Sequence, residues 1–141
     1  MFVKTVSIEQ LKSFSINTIA DHLGIEFTEI GTDFITARMP VDSRTHQPFG
    51  ILHGGASVVL AETLGSIASF LALPEGDDRQ AVGLEINANH LRPVKEGFVT
   101  GKVTSIHLGK TTHIWDIRIT NDQNKLVCIS RLTVAIVNAK R

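Results

Sequence analysis

The residues best equipped for chemistry lie in one run, HGGASVVLAETLGSIASFLAL, from His53 to Leu73. Glu62 is the only charged side chain between Gly54 and Leu73, where alanine and leucine dominate. An ionised carboxylate taken out of water is costly unless it is paired or hydrogen-bonded. Glu62 therefore sits on an exposed edge, meets a structural arginine, or is kept for a reaction. Ser66 follows four residues later, so on a helix its hydroxyl shares the Glu62 face and can orient a carboxylate or a water. Gly54 and Gly55 open the run. The N–H groups of a first helical turn have no intrahelical partners, and glycine lets a ligand approach them closely. The helix dipole favours negative charge there, and a carbonyl oxygen becoming an oxyanion is one such charge. The glycines also read as a tight passage from loop to helix. Glu62 lies about two turns, roughly 12 Å, from Gly54, so one helix hardly brings both to one carbonyl. Two copies packed antiparallel can pair Gly54 of one with Glu62 of the other, which predicts a dimer with shared sites.

The elements that must position these residues follow from pattern. Ser7 with Gln10 matches a capping box, and Leu11, Ile16, Ile19, Ala20 and Leu23 give a helical stripe that Gly24 stops. Ile25–Ile30 and Phe34–Met39 read as strands around Gly31-Thr32-Asp33, and PVDSRTHQPFGILH, residues 40–53, reads as a loop. Residues 54–73 form a long apolar helix ended by Pro74 and Gly76. Over Gly83–Leu91 the alternation puts Leu84, Ile86, Ala88 and His90 on one face and Glu85, Asn87 and Asn89 on the other. Phe98–Ile106, Thr111–Thr120 and Leu126–Val137 are three further strands. The expectation is an α+β fold in a single domain spanning residues 1–141, with an antiparallel sheet wrapped around one long central helix.

A helix apolar nearly all round belongs to a core or a membrane. Glu62, Gly65, Ser66, Ser69 and the lack of flanking Lys or Arg clusters favour the core. The 14 basic and 14 acidic residues balance, so no global field draws the chain to nucleic acid or an anionic membrane. The mean hydropathy of +0.12 leaves apolar surface for a partner subunit. The single Cys128 reads as a small core residue, and the N-terminus lacks signal-peptide features, so the expected setting is the cytoplasm. The six histidines show no metal-ligand spacing, and no metal or cofactor is expected.

MPVDSRTHQPFGILHGGASVVLAETLGSIAS, then VGLEINANHLR, HLGKTTHIWDIRI and SRLTVAIV, resemble the hot-dog-fold thioesterases. Within them the chain resembles the 4-hydroxybenzoyl-CoA thioesterase-like branch, above all its members that act on 1,4-dihydroxy-2-naphthoyl-CoA in menaquinone synthesis. The proofreading thioesterases of catecholate siderophore synthesis stand close behind. The resemblance covers residues 30–137, and its specific motif is Gln-Pro-x-Gly-x-x-His-Gly-Gly with a Glu eight residues after the first helical Gly. It implies hydrolysis of an acyl-CoA thioester, with Glu62 as nucleophile or general base and the Gly54 N–H polarising the carbonyl. Gln47 would assist at that carbonyl, His53 would position the thioester or help the leaving thiolate, and Ser66 is the hydroxyl one turn past the Glu. It also implies a homodimer with sites across its interface, pairing again into a homotetramer.

His90 reads as a hydrogen-bonded core histidine, and the resemblance adds a place near the acyl pocket. Ile67 and Phe70, near Glu62, are plain core or the wall of an aryl pocket. Arg92, Lys110 and Arg131, with Ser130 and the His107-Leu108-Gly109 turn, are candidates for the coenzyme A phosphates, each reading equally well as solvated surface. Trp115 reads as sheet packing. Two other functions compete: a hot-dog dehydratase or hydratase, which asks for a His/Asp pair, and a non-catalytic acyl-CoA binder, which would tolerate loss of Glu62. An acyl carrier protein is an alternative to coenzyme A as thiol carrier.

Overall fold

The computed structural model describes residues 2–139. Ser7 caps α1 (Ile8–Ser15): the Gln10 N–H donates to Ser7 Oγ at 3.1 Å, and the Ser7 N–H donates to Gln10 Oε1 at 2.8 Å. This is the capping box read from the sequence. The single N-terminal helix divides in two, however. Asn17 takes a left-handed φ of 62°, and a one-turn α2 (Ile19–His22) follows. The step from Leu11 to Ile16 is five residues, which 3.6 residues per turn does not keep on one face. Gly24, at a φ of 73°, ends this region as expected.

Strands β1 (Glu26–Ile30) and β2 (Phe34–Pro40) form an antiparallel hairpin around residues 31–33. After the loop comes α3 (Gly54–Ala72), then β3 (Gln80–His90), β4 (Phe98–Leu108), β5 (Thr112–Thr120) and β6 (Leu126–Val137). The six strands form one antiparallel sheet in the order β1-β2-β4-β5-β6-β3. Helix α3 packs against β2, β3, β4, β5 and β6, so the sheet wraps it. By length and composition α3 could cross a membrane. Here it is the core helix, with Leu60, Ala61, Leu64, Ala68 and Leu71 buried against Trp115, Ile117, Ile119, Leu132 and Val134.

A polar network fastens the second half of α3 to β5. The Trp115 indole N–H donates to Ser69 Oγ at 2.7 Å, and Ser69 Oγ lies 3.0 Å from His113 Nδ1, all three residues being buried. An indole N–H only donates, which leaves the Ser69 proton for His113 Nδ1. Cys128 is buried in the core, and burial pushes its thiol pKa up.

Strand β3 departs from simple alternation. Gly83 pairs with Val134 and Glu85 with Thr133, so Leu84 is the extra residue of a bulge. The bulge reverses which residues face the helix, and Leu84, expected inside with Ile86 and Ala88, is 64% exposed.

Candidate active site

The loop before α3 is pinned by backbone bonds. Buried Thr45 donates its hydroxyl to Pro40 O at 2.8 Å, the His53 N–H donates to Thr45 O at 2.8 Å, and the Leu52 N–H donates to Val94 O at 2.8 Å. These bonds deliver His53 as the N-cap of α3. Its Nδ1 accepts the Gly55 N–H at 2.8 Å, so in the neutral ring the proton sits on Nε2. Among the described residues the Gly54 N–H has no acceptor. It is a free donor at the positive end of a 19-residue helix.

Gln47 stands beside it in a tight turn closed by Gln47 N–H to Ile51 O at 2.8 Å and Gly50 N–H to Gln47 O at 2.9 Å. Its Oε1 accepts the Phe49 N–H, which leaves the carboxamide Nε2 a donor without an acceptor among the described residues. Gln47, Gly54, His90 and Arg92 line one open depression of about 280 Å³, with Leu52 and Ser57 behind them. A Cβ at Gly54 would lie 2.6 Å from His90 Nε2, so only glycine lets that ring lean on the helix start. His90 is exposed at the end of β3 rather than sealed in the core. Ser57 Oγ is buried with no hydrogen-bond partner among the described residues. A serine three residues into an apolar helix carries no sequence signal.

Glu62 faces a separate open groove of about 260 Å³. Ser66, Ile67 and Thr63 share it, walled by Phe14, Thr18, Ile19 and Phe27. Of the alternatives open for this carboxylate, an exposed edge, a structural arginine or a reaction, the arginine is missing among the described residues. In one protomer it is half-buried on an exposed helix edge, because the groove beside α1 and α2 stays open. Among the described residues no side chain hydrogen-bonds Glu62 and no arginine or lysine pairs with it. Its Oε2 rests over Gly83 of β3. Phe70 lies outside this groove, edge-on to Phe14 at 5.9 Å with Lys4 Nζ 4.9 Å from its ring centre.

The two halves stand eight residues apart on one straight helix, about 12 Å. One protomer thus carries, among the described residues, two N–H donors without acceptors at one place and an unpaired carboxylate at another. The candidates for phosphate contact are also spread out. Arg92 donates to Leu126 O at 2.6 Å near the N-terminus of α3. His107, Gly109 and Lys110 form the β4–β5 turn, next to His113 and therefore near the C-terminal half of α3. The Lys110 carbonyl accepts from Arg79 Nη1 at 2.9 Å, while Arg79 pairs with Asp77 at 2.7 Å. Arg131 is exposed, opposite Asn87 and Asp116, and Ser130 donates to Asn87 O at 2.8 Å as a strand-to-strand tie. One protomer does not gather these six residues into a cluster.

Comparison with known proteins places the geometry. Residues 49–128 match the family model described as the thioesterase superfamily. A thioesterase structure from Haemophilus influenzae superposes with a TM-score of 0.93 at 52% identity, covering 97% of this chain and 94% of that one. A mutant thioesterase from Pseudomonas aeruginosa superposes at 0.95 with 54% identity, covering 98% and 99%. The proofreading thioesterase EntH of Cronobacter turicensis is 48% identical over 132 residues, 94% of this chain and 95% of its own length.

Proposed function

The chain belongs to the thioesterase superfamily and is a thioester hydrolase of hot-dog fold, and from that premise we propose that it hydrolyses aromatic acyl-CoA thioesters such as 1,4-dihydroxy-2-naphthoyl-CoA at sites shared by two protomers. The observation that carries this reading is the separation on α3 of a free N–H donor from a free carboxylate. Each half lacks what the other supplies.

Two copies reunite the halves. Among the described residues β3 ends the sheet with its outer edge unpaired, and Val82 and Leu84 are exposed. Such an edge is a template for a second copy. Antiparallel pairing there sets the two α3 helices side by side in opposite directions, bringing Gly54 of one protomer towards Glu62 of its partner. A second pairing of dimers gives the tetramer.

In the shared site the Gly54 N–H and Gln47 Nε2 donate to the thioester oxygen as it becomes an oxyanion. Loss of one such donor costs about 2.7–4 kcal/mol of transition-state stabilisation. Glu62 acts by one of two routes. It attacks the carbonyl carbon, expels the thiolate and forms a mixed anhydride that water hydrolyses, or it takes a proton from a water that attacks. The His53 Nε2–H is placed to donate to the departing sulfur, and the Ser66 hydroxyl to hold the carboxylate. His90 and Ile67 border the acyl group. Phe70 would reach it only if the groove extends past Phe14. Arg92, His107, Gly109, Lys110, Ser130 and Arg131 contact coenzyme A only as contributions from different subunits, since one protomer spreads them apart. No metal or cofactor enters this scheme, and the expected setting is the cytoplasm.

Likeness to a proofreading thioesterase favours a second reading, in which the thiol carrier is an aryl-loaded carrier protein. Thiol release from dihydroxynaphthoyl-CoA, benzoyl-CoA, a medium-chain acyl-CoA and an aryl-loaded carrier protein tests both, with wild type and Glu62→Gln side by side. Fast release from an aryl-CoA that Glu62→Gln loses by several orders of magnitude supports the first reading. Preference for the carrier protein transfers the case to the second. Thiol release unaffected by Glu62→Gln refutes the mechanism.

A further inference from the structure

We propose that Gly83, with the bulge that follows it, is a positioning residue that aims the Glu62 carboxylate. The inference rests on the catalytic reading of Glu62 and names what holds that side chain in place.

Glycine inside a strand weakens it, lacking a side chain to pack and losing more backbone entropy than other residues. Its usual justification is a left-handed backbone, which Gly24, Gly50, Gly76 and Gly97 show and Gly83 does not. Alanine would suit the Gly83 backbone equally well. What glycine supplies at this position is the space of the missing Cβ, and that space is filled. A Cβ at Gly83 would fall well inside van der Waals contact with Glu62 Oε2, 3.4 Å from Glu62 Cδ and 3.9 Å from Leu132 Cδ1. One carboxylate oxygen, Oε2, thus rests in the space over the backbone of β3.

The bulge makes this possible. With Leu84 as the extra residue, Gly83 faces the helix before it, and Ile86 and Ala88 face the helix after it. Without the bulge the residue over Glu62 would be one of a regular inward row carrying a side chain. Bulges recur beside active sites because they re-aim side chains. Glu62 has neither a hydrogen-bond nor an ion-pair partner among the described residues. Shape, rather than a bond, therefore sets its direction, with Gly83 below it and Ser66 and Ile67 along the groove.

The atom that an added methyl would displace is the tip of a flexible side chain. The fold should tolerate Gly83→Ala while the carboxylate moves, and misplacing a reacting group by about 1 Å costs about 100-fold in rate. The test compares wild type, Gly83→Ala, Glu62→Gln, Glu62→Asp and Gly83→Ala/Glu62→Asp by steady-state thiol release from an aryl-CoA and by thermal unfolding. Gly83→Ala is expected to lower kcat by about 10- to 100-fold at nearly unchanged KM and Tm. In the Glu62→Asp background, where the shorter side chain withdraws from the new methyl, the same change should cost less than about 3-fold. Wild-type kcat in Gly83→Ala overturns the proposal, and so does an equal loss in both backgrounds, which would mean that the methyl acts through the strand. If Glu62→Gln keeps wild-type turnover, the catalytic reading itself fails. If Glu62→Gln is inactive while Gly83→Ala is not, only the positioning role fails.

Discussion

Replacing His53 with alanine should weaken both the start of α3 and the reaction. His53 Nδ1 accepts the Gly55 N–H at 2.8 Å. Removing a side-chain cap costs about 1 kcal/mol, within a range of about 0.5–2. For a chain of 141 residues, unfolding with about 2.1 cal/mol/K of entropy per residue, this is a fall of about 3 °C in Tm. The rate should fall by more than stability does, because the same first turn carries the Gly54 N–H, and losing one oxyanion donor outright costs at least about 100-fold. Asparagine separates the two roles. It is among the best N-caps, so His53→Asn should restore Tm. If the imidazole Nε2–H also serves the departing thiolate, the rate should stay about 10-fold or more below wild type. Thermal unfolding and thiol release on the three proteins decide the matter. An unchanged Tm in His53→Ala refutes the capping role, and a full wild-type rate in His53→Asn refutes contact with the leaving group.

Ser69→Ala strands the buried Trp115 N–H and His113 Nδ1 together, so urea unfolding should show a loss of about 2 kcal/mol at an unchanged slope. Burial, then the charges of His107 and Arg79, hold His113 below its ordinary pKa. The unfolded chain therefore binds more protons as pH falls below about 6.5, and stability that is complete above that value is lost towards the lower folded pKa. Tm measured from about pH 7 down to about pH 5 should fall, and His113→Asn, which cannot titrate, should flatten the fall. Cys128, buried and with its thiol pKa raised, should resist alkylation in the native protein and react once denaturant unfolds it; rapid native labelling would contradict its place in the core.

The features legible in the sequence are those set locally. The Ser7–Gln10 capping box, the stop at Gly24 and the long apolar run of α3 need only neighbours in the chain, and the structure keeps them. The Glu62 and Gly54 spacing also belongs to one helix, so their separation could be argued before any fold was known. What escaped depends on distant partners. The break at Asn17 is the exception, since the five-residue step from Leu11 to Ile16 was a local sign of it. The Leu84 bulge is defined by the register with β6, about fifty residues later, and plain alternation hides it. The Ser69–His113–Trp115 network joins residues 44 and 46 positions apart. Gly83 opens the strand as read from the pattern, Gly83–Leu91, and only the start of β3 at Gln80 places it inside, where a glycine marks a bulge or a close approach. The half-exposure of Glu62 was legible only as one alternative among three, because it depends on how α1 and α2 leave the groove open.

The central claim is that Glu62 of one protomer works with Gly54 and Gln47 of its partner. Refolding an equimolar mixture of Glu62→Gln and Gln47→Ala, each nearly inactive alone, tests it most directly. In a two-fold dimer half of the molecules are then mixed, and each mixed dimer has one intact site and one doubly defective site. Thiol release should recover to about one quarter of the wild-type rate. A mixture no more active than its two parents would place the whole site within one protomer and contradict the account.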